Sequence, residues 1–115
     1  DYELIHAKLM DWPAPVFTTK SKTDANFERL TRALLENYPA IRTAIGSHNI
    51  RSIAQAMACA ETLGVDPCAV EIQMLFGMGD SIKRAILKTP YPLRVYTPFG
   101  ELLPGMAYLV RRLLA

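Results

Sequence analysis

The sequence predicts an α/β protein in which parallel strands are joined by crossover helices. After a helical opening, segments typical of strands and helices alternate three times along the chain, as they do in parallel βα units. Each predicted strand is followed by a glycine-containing loop, at the edge where such folds bind ligands. The 115 residues suit one modest domain and are too few for a complete (β/α)8 barrel, which needs roughly 200 or more.

Proline marks the ends of the first two predicted helices. Residues 1–10 form a short helix that stops at the following proline-rich stretch, because proline disfavours helix in the residue before it. Residues 16–20 are predicted as extended or loop. A longer helix then begins near Thr23 or Asp24, both favourable N-caps. It ends at Tyr38-Pro39, and its apolar stripe consists of Phe27, Leu30 and Leu34.

The three βα repeats occupy the rest of the chain. They are predicted as a strand over 41–46, a helix from the Asn49 cap to Gly64, a strand over 70–75, a helix over 80–88, a strand over 93–97 and a helix over 102–114. The helix after Asn49 carries an apolar stripe of Ile50, Ile53, Ala54, Met57 and Ala60. Gly64 suits the left-handed residue that follows a last helical turn.

The middle strand indicates that the sheet belongs to something larger. Val70, Ile72 and Met74 alternate with Glu71, Gln73 and Leu75, so one face of this strand is largely polar. A parallel sheet normally has both faces covered, and three strands leave two edges open. A polar inner face suits the inside of a barrel better than a doubly wound sheet.

Composition and charge exclude several classes of protein. Thirteen Lys and Arg against eleven Asp and Glu leave a net charge of +2, which argues against an electrostatically driven nucleic-acid binder. The chain shows no membrane-length apolar run and no signal peptide, so a cytoplasmic location is expected. Cys59 and Cys68, with His6 and His48, form neither a disulfide framework nor a zinc-site spacing, and no metal is expected. Cys59 is predicted to be a small buried hydrophobe, and Cys68 to be exposed in a loop.

Candidate site residues cluster where the predicted strands end. His48 follows the first strand beside a helix N-cap, where backbone N–H groups attract anions, although a structural histidine fits equally well. Gly77-Met78-Gly79 lacks the third glycine of a dinucleotide fingerprint, because position 82 is isoleucine. On the last helix, Tyr108 neighbours Arg111 and Arg112, whose guanidinium groups suit a carboxylate. The spacing alone favours the alternative, a pair of solvated cations.

Four segments of the chain stand out together: PVFTTKSKTDANFERL, GSHNIRSIA, EIQMLFGMGD and RVYTPFGELLPGMAYLVRRLL. In order and spacing they resemble the proline dehydrogenase domain, most closely that of bifunctional proline utilization A proteins. The resemblance covers essentially the whole chain. It implies the C-terminal half of a distorted (β/α)8 barrel that binds FAD and oxidises L-proline to Δ1-pyrroline-5-carboxylate. A membrane quinone would be the electron acceptor, so the complete protein would be cytoplasmic or peripheral at the inner membrane.

The resemblance also assigns roles to individual residues. Arg111 and Arg112 match the pair that holds the proline carboxylate, while Tyr96, Tyr108 and Leu75 match the walls of the ring pocket. The FAD-contacting positions are matched by Ser47, His48, Asn49, Thr18 and Lys20. Asp1 matches the residue that follows an active-site Tyr-Trp pair. Ala115 departs from the family, which commonly has glutamate at its position.

The isolated chain is expected to be one segment over 1–115, with weak or absent FAD binding and no turnover. The substrate-pocket lysine, the aspartate and the flavin-contacting arginine of the family belong to earlier strands. Open sheet edges predict self-association. Two other readings stay open: an α/β module that binds a small carboxylate or phosphate without catalysis, and an interaction fragment without a ligand.

Overall fold

The protein is a three-stranded parallel sheet with helices packed mainly on one face, seen in a computed structural model that describes residues 2–114. Asp1 and Ala115, whose family matches were predicted from the sequence, lie outside the described residues. In chain order the elements are α1 (Tyr2–Leu9), α2 (Lys20–Glu36), β1 (Thr43–Gly46), α3 (Ile50–Leu63), a 3-10 turn (Pro67–Ala69), β2 (Val70–Leu75), α4 (Asp80–Ile86), β3 (Leu93–Tyr96) and α5 (Leu102–Leu114). The strand order is β1-β2-β3, so the α/β class with crossover helices is confirmed.

The register of the ladder separates an apolar face from a polar one. Val70, Ile72 and Met74 are buried on the face that packs against the helices. Their neighbours Glu71 and Gln73 are half-buried on the other face, as the alternation predicts. The core between sheet and helices consists of Leu35, Ile45, Ile53, Ala56, Ala60, Val65, Ala69, Val70, Ile72, Met74, Ile86 and Tyr91.

Two strands are shorter than predicted because β2 limits the ladder on both sides. Its first residue, Val70, pairs with Thr43, so residues 41–42 have no partner strand. Its last residue, Leu75, pairs with Tyr96, and Thr97 is therefore outside the sheet. Alternating apolar residues in a sequence predict extended backbone. The length of a strand in the sheet also depends on how many residues of a neighbouring strand can pair with it.

Helix α2 begins at Lys20, earlier than the predicted start near Thr23 or Asp24. Those two residues act inside the first turns instead of capping them. Thr23 Oγ1 donates to the Thr19 carbonyl at 3.3 Å, and the Lys20 ammonium pairs with the Asp24 carboxylate at 2.8 Å. Such i,i+4 contacts stabilise a helix that runs through both residues. Helix α4 ends at Ile86, short of Lys88, because the Thr89 hydroxyl and amide both donate to the Ile86 carbonyl.

Helix α3 has the predicted ends and a rotated buried face. Asn49 caps it by accepting from the Arg51 amide, and Gly64 is left-handed with φ +68°. Ile53 and Ala60 of the predicted stripe are buried, but Ile50 is 66% exposed. The stripe missed Ser52 and Ala56, which face the core, while Ile50 and Ala54 line an apolar groove between α3 and α4.

The cysteines behave largely as the sequence suggests. Cys59 is half-buried against the core, Cys68 is exposed, and both are free thiols. Across residues 2–114, we find no helix that combines the length and apolar character needed to cross a membrane.

Candidate functional site

A cavity of about 330 Å³ lies at the carboxyl ends of the three strands, the edge where parallel α/β folds bind ligands. Its lining comes from β1 and the turn after it, from β2 and its following loop, from the end of β3, and from α5. The lining residues are Gly46, Ser47, His48, Gln73, Met74, Leu75, Met78, Tyr96, Tyr108 and Arg112. Six of these were predicted as ligand contacts: Ser47, His48, Leu75, Tyr96, Tyr108 and Arg112.

The turn after β1 directs Ser47 and His48 to the cavity and uses Asn49 as a cap. The Ser47 hydroxyl accepts from the Asn49 amide at 3.0 Å, which tightens the turn. Asn49 Oδ1 is occupied by the Arg51 amide at 3.0 Å. Asn49 is not among the lining residues, and its predicted cofactor contact stays a prediction.

His48 is fixed between β1 and β2 by a backbone hydrogen bond. The Leu75 amide donates to His48 Nε2 at 3.0 Å, so the neutral ring carries its proton on Nδ1. Partial burial lowers the pKa of His48, and the nearby Lys83 ammonium lowers it further. Lys83 itself pairs with Asp80 at 3.1 Å. The imidazole is thus a neutral group with an Nδ1–H available as a donor.

The loop between β2 and α4 packs closely under this imidazole. Gly79 is left-handed with φ +65° and precedes α4 directly. A Cβ atom at Gly79 would lie 3.0 Å from Met74 Cε and 3.5 Å from His48 Cδ2. The absence of a side chain at this position therefore leaves room for the Met74 side chain next to His48.

An aromatic and cationic cluster forms the other side of the cavity. The rings of Tyr96 and Tyr108 lie 5.4 Å apart between centroids, and Arg112 Cζ lies 5.2 Å from the Tyr108 ring centroid. Leu75 pairs with Tyr96 across the ladder. Arg111 points elsewhere: its Nε donates to the Ala107 carbonyl at 3.2 Å, and it does not line the cavity. The structure therefore separates two arginines that the sequence could not rank.

Two further predicted residues lie away from this cavity. Lys20 is exposed and paired with Asp24, and Thr18 is exposed in the loop before α2. Neither lines the cavity, so their cofactor contacts also stay predictions.

Four lining residues were not predicted as ligand contacts: Gly46, Gln73, Met74 and Met78. The signal for Gln73 was present, because it alternates with the buried face of β2 and shares the polar face with Leu75. Met78 follows Gly77 in the same strand-end loop. Within residues 2–114, no group of three or more His, Cys, Asp or Glu side chains is placed to hold a metal ion. The cavity instead offers a cation, phenol rings and uncharged donors, which suit a small carboxylate with an apolar body.

Comparison with known proteins gives a consistent result. The sequence model of the proline dehydrogenase family matches residues 1–114. The chain is 35% identical over 97 residues to proline dehydrogenase 2 of Bacillus subtilis, covering 84% of this chain and 31% of that protein. It is 32% identical over 106 residues to the bifunctional protein PutA of Klebsiella aerogenes, covering 87% of this chain and 8% of that protein.

A solved structure matches both the fold and the sequence. Proline utilization A (PutA) from Bdellovibrio bacteriovorus, inactivated by N-propargylglycine, has a TM-score of 0.90 and 52% identity, over 99% of this chain and 12% of that one. The three-stranded sheet thus corresponds to part of a proline dehydrogenase barrel, and the chain spans about a third or less of these relatives. A family match over nearly the whole chain, on a fold shared at this identity, shows that the chain belongs to the proline dehydrogenase family.

Proposed function

We propose that this chain, as one segment over 1–115, is the C-terminal part of the catalytic barrel of an FAD-dependent proline dehydrogenase. In the complete protein that barrel oxidises L-proline to Δ1-pyrroline-5-carboxylate, a step of proline catabolism. The observation that carries the proposal is the cluster of Arg112, Tyr108 and Tyr96 at the strand-end cavity. Family membership and the likeness to PutA support the same activity.

The cluster has the chemistry that proline binding needs. The Arg112 guanidinium can donate two parallel hydrogen bonds to the proline carboxylate. The Tyr96 and Tyr108 rings and the Leu75 side chain supply apolar surface for the pyrrolidine ring. By the family resemblance, Arg111 provides the second guanidinium.

The opposite side of the cavity suits the polar edge of a flavin. Ser47 offers a hydroxyl and His48 a neutral Nδ1–H, while Met78 offers an apolar contact. In the resemblance, Asn49, Thr18 and Lys20 extend this FAD site. When bound, FAD would accept the hydride from the carbon next to the ring nitrogen of proline, and the nitrogen would lose its proton, so that the C–N bond becomes C=N. Arg112, Tyr96 and Tyr108 would hold proline for that transfer.

The family resemblance also suggests the electron acceptor and the location of the complete protein. The acceptor is a membrane quinone, and the complete protein is cytoplasmic and associates peripherally with the inner membrane. The net charge of only +2 argues against binding of nucleic acid by this segment.

The test is to replace the arginines one at a time in the complete protein that carries this chain. For Arg112→Met we expect the KM for proline to rise about 10- to 100-fold. The reason is that losing hydrogen bonds from a charged group costs about 1.5–3 kcal/mol of binding free energy. FAD occupancy, read from the flavin absorption, should stay unchanged. For Arg111→Met we expect a smaller increase, because this side chain does not line the cavity.

Arg42→Met is the matched control, since Arg42 is an exposed arginine before β1 and is not one of the lining residues. Its KM for proline should equal that of the unchanged protein. An Arg112→Met protein with an unaltered KM would contradict the proposal. It would favour a module that interacts with partners without binding a carboxylate here.

A further inference from the structure

A network of hydrogen bonds connects three side chains on the polar face of the sheet. Arg94 on β3 donates to both carboxylate oxygens of Glu71 on β2, from Nε at 2.8 Å and from a terminal nitrogen at 2.9 Å. Gln73 Nε2 donates to Glu71 Oε1 at 2.6 Å. Gln73 also lines the cavity, whereas Glu71 and Arg94 do not.

This hydrogen-bond network fixes the orientation of the Gln73 amide. The Arg94 guanidinium lowers the pKa of Glu71, with a smaller contribution from Gln73, so Glu71 is an ionised carboxylate that can only accept hydrogen bonds. The Gln73 atom that faces Glu71 must therefore be the NH2 group. The carbonyl Oε1 is then left as the acceptor of this side chain, and no donor to it is found among residues 2–114.

Gln73 lies on the central strand, next to the turn that the resemblance gives to FAD. In the ladder it pairs with Gly46 on β1, the residue before Ser47 and His48, and with Arg94 on β3. Gly46 presents no side chain, and a Cβ there would meet no atom within 4 Å, so there is open space beside the amide. The proline side of the cavity begins two residues after Gln73 on β2, at the Leu75–Tyr96 pair.

The geometry points to Gln73 as a flavin-contacting residue whose Oε1 accepts a hydrogen bond from a ring N–H. Glu71 and Arg94 would be positioning residues that act through Gln73. The inference rests on the proposed function. An oxidised isoalloxazine ring carries one N–H, at N3, so that atom is the donor. A glutamine held the opposite way would present NH2 and meet N3–H with another donor.

The test compares FAD with FAD methylated at N3 in the complete protein. Apoprotein should bind FAD about 3- to 10-fold more tightly than 3-methyl-FAD, as one neutral hydrogen bond predicts, measured by flavin fluorescence quenching. In Gln73→Leu, FAD binding should weaken by the same factor, and the discrimination between the two flavins should disappear. Gln55→Leu is the matched control, because Gln55 lies on α3 outside the cavity, and it should keep the full discrimination.

The positioning role has its own readout. Glu71→Gln should reduce the discrimination, because a neutral amide no longer dictates the orientation of Gln73. The double variant Glu71→Gln, Gln73→Leu should bind FAD no more weakly than Gln73→Leu alone. A purely structural role for Glu71 predicts additive losses instead.

Equal binding of FAD and 3-methyl-FAD by the unchanged protein would overturn the inference even if no variant folds. So would full discrimination in Gln73→Leu. A rise in the KM for proline in Gln73→Leu, with unaltered flavin affinity, would mean that the substrate is the ligand and would also overturn it. Failure of the proposed function looks different: the unchanged complete protein would then bind no flavin or would not reduce it with proline.

Discussion

His48 accepts a hydrogen bond from the Leu75 amide, and this contact decides which ring nitrogen carries the proton. Protonation of Nε2 would break the bond and place a second cation near Lys83. The folded protein therefore favours the neutral ring. This preference stabilises the folded protein. The stabilisation is fully present above pH 6.5, the ordinary histidine pKa, and it is lost as the pH falls through the lower pKa of His48 in the folded protein.

We therefore expect His48 to titrate below 6.5 in an NMR titration of the folded protein. Lys83→Met should raise the titration midpoint, because it removes a nearby positive charge. Lys88→Met, at an exposed position beyond the end of α4, is the control and should leave the midpoint in place. A His48 midpoint above 6.5 would show that the ring is not held in the neutral form.

Residue-level prediction succeeded where the sequence pattern encodes direction. The i,i+4 spacing of Tyr108 and Arg112 placed both on one helix face, and the structure brings them together at the cavity. Adjacent arginines diverge by about 100° on a helix. The choice between Arg111 and Arg112 depends on how α5 is rotated against the sheet, which spacing within the helix cannot reveal.

The loop between β2 and α4 contains two left-handed glycines with different surroundings. Gly77 has φ +77° and Gly79 has φ +65°, so alanine at either position should cost about 1–2 kcal/mol in backbone strain. A Cβ at Gly77 would meet nothing within 4 Å, whereas a Cβ at Gly79 would crowd Met74 Cε at 3.0 Å and would be in ordinary contact with His48 Cδ2 at 3.5 Å. Gly77→Ala is thus a matched control for the packing role of Gly79.

We expect Gly79→Ala to lower the free energy of unfolding more than Gly77→Ala, measured by urea denaturation. The excess reflects steric displacement, since Met74 is buried and has little room to shift. Gly79→Ala should also move the NMR signals of the His48 ring, and Gly77→Ala should not. Equal destabilisation and unmoved His48 signals for both variants would contradict this packing role.

Element identity was predicted well, and element ends less so, for a physical reason. Apolar alternation and caps such as Asn49 and Gly64 lie in the local sequence, so helices and strands could be assigned from it. The ends of β1 and β3 depend on the length of β2, which is a long-range property. The buried face of α3 likewise depends on its neighbours, which is why Ile50 was misassigned to the core.

At the scale of the whole molecule, the sheet is open on both sides. Within residues 2–114, β1 and β3 each pair with β2 alone, and large apolar side chains such as Leu9, Leu103 and Phe99 are exposed. Unpaired strand edges and exposed apolar surface favour association with other chains.

The 115-residue chain on its own should therefore self-associate increasingly with concentration in sedimentation velocity. Ala44→Lys should weaken that association, because it places a charge at an exposed position of the β1 edge strand. Supplied with FAD, the chain alone should show no proline-dependent reduction of a dye. Monomers at every concentration, or turnover at native-like rates, would contradict the interpretation of this chain as part of a larger barrel.

The strand order β1-β2-β3 repeats the order of the chain, and this has a consequence for synthesis on the ribosome. The cavity is assembled from the N-terminal side onward: Ser47 and His48 emerge first, Leu75 and Tyr96 follow, and Arg112 comes last. In the function proposed here, a nascent chain would complete its cofactor side well before its carboxylate anchor. Premature termination within α5 would then leave a protein able to hold flavin but unable to retain proline.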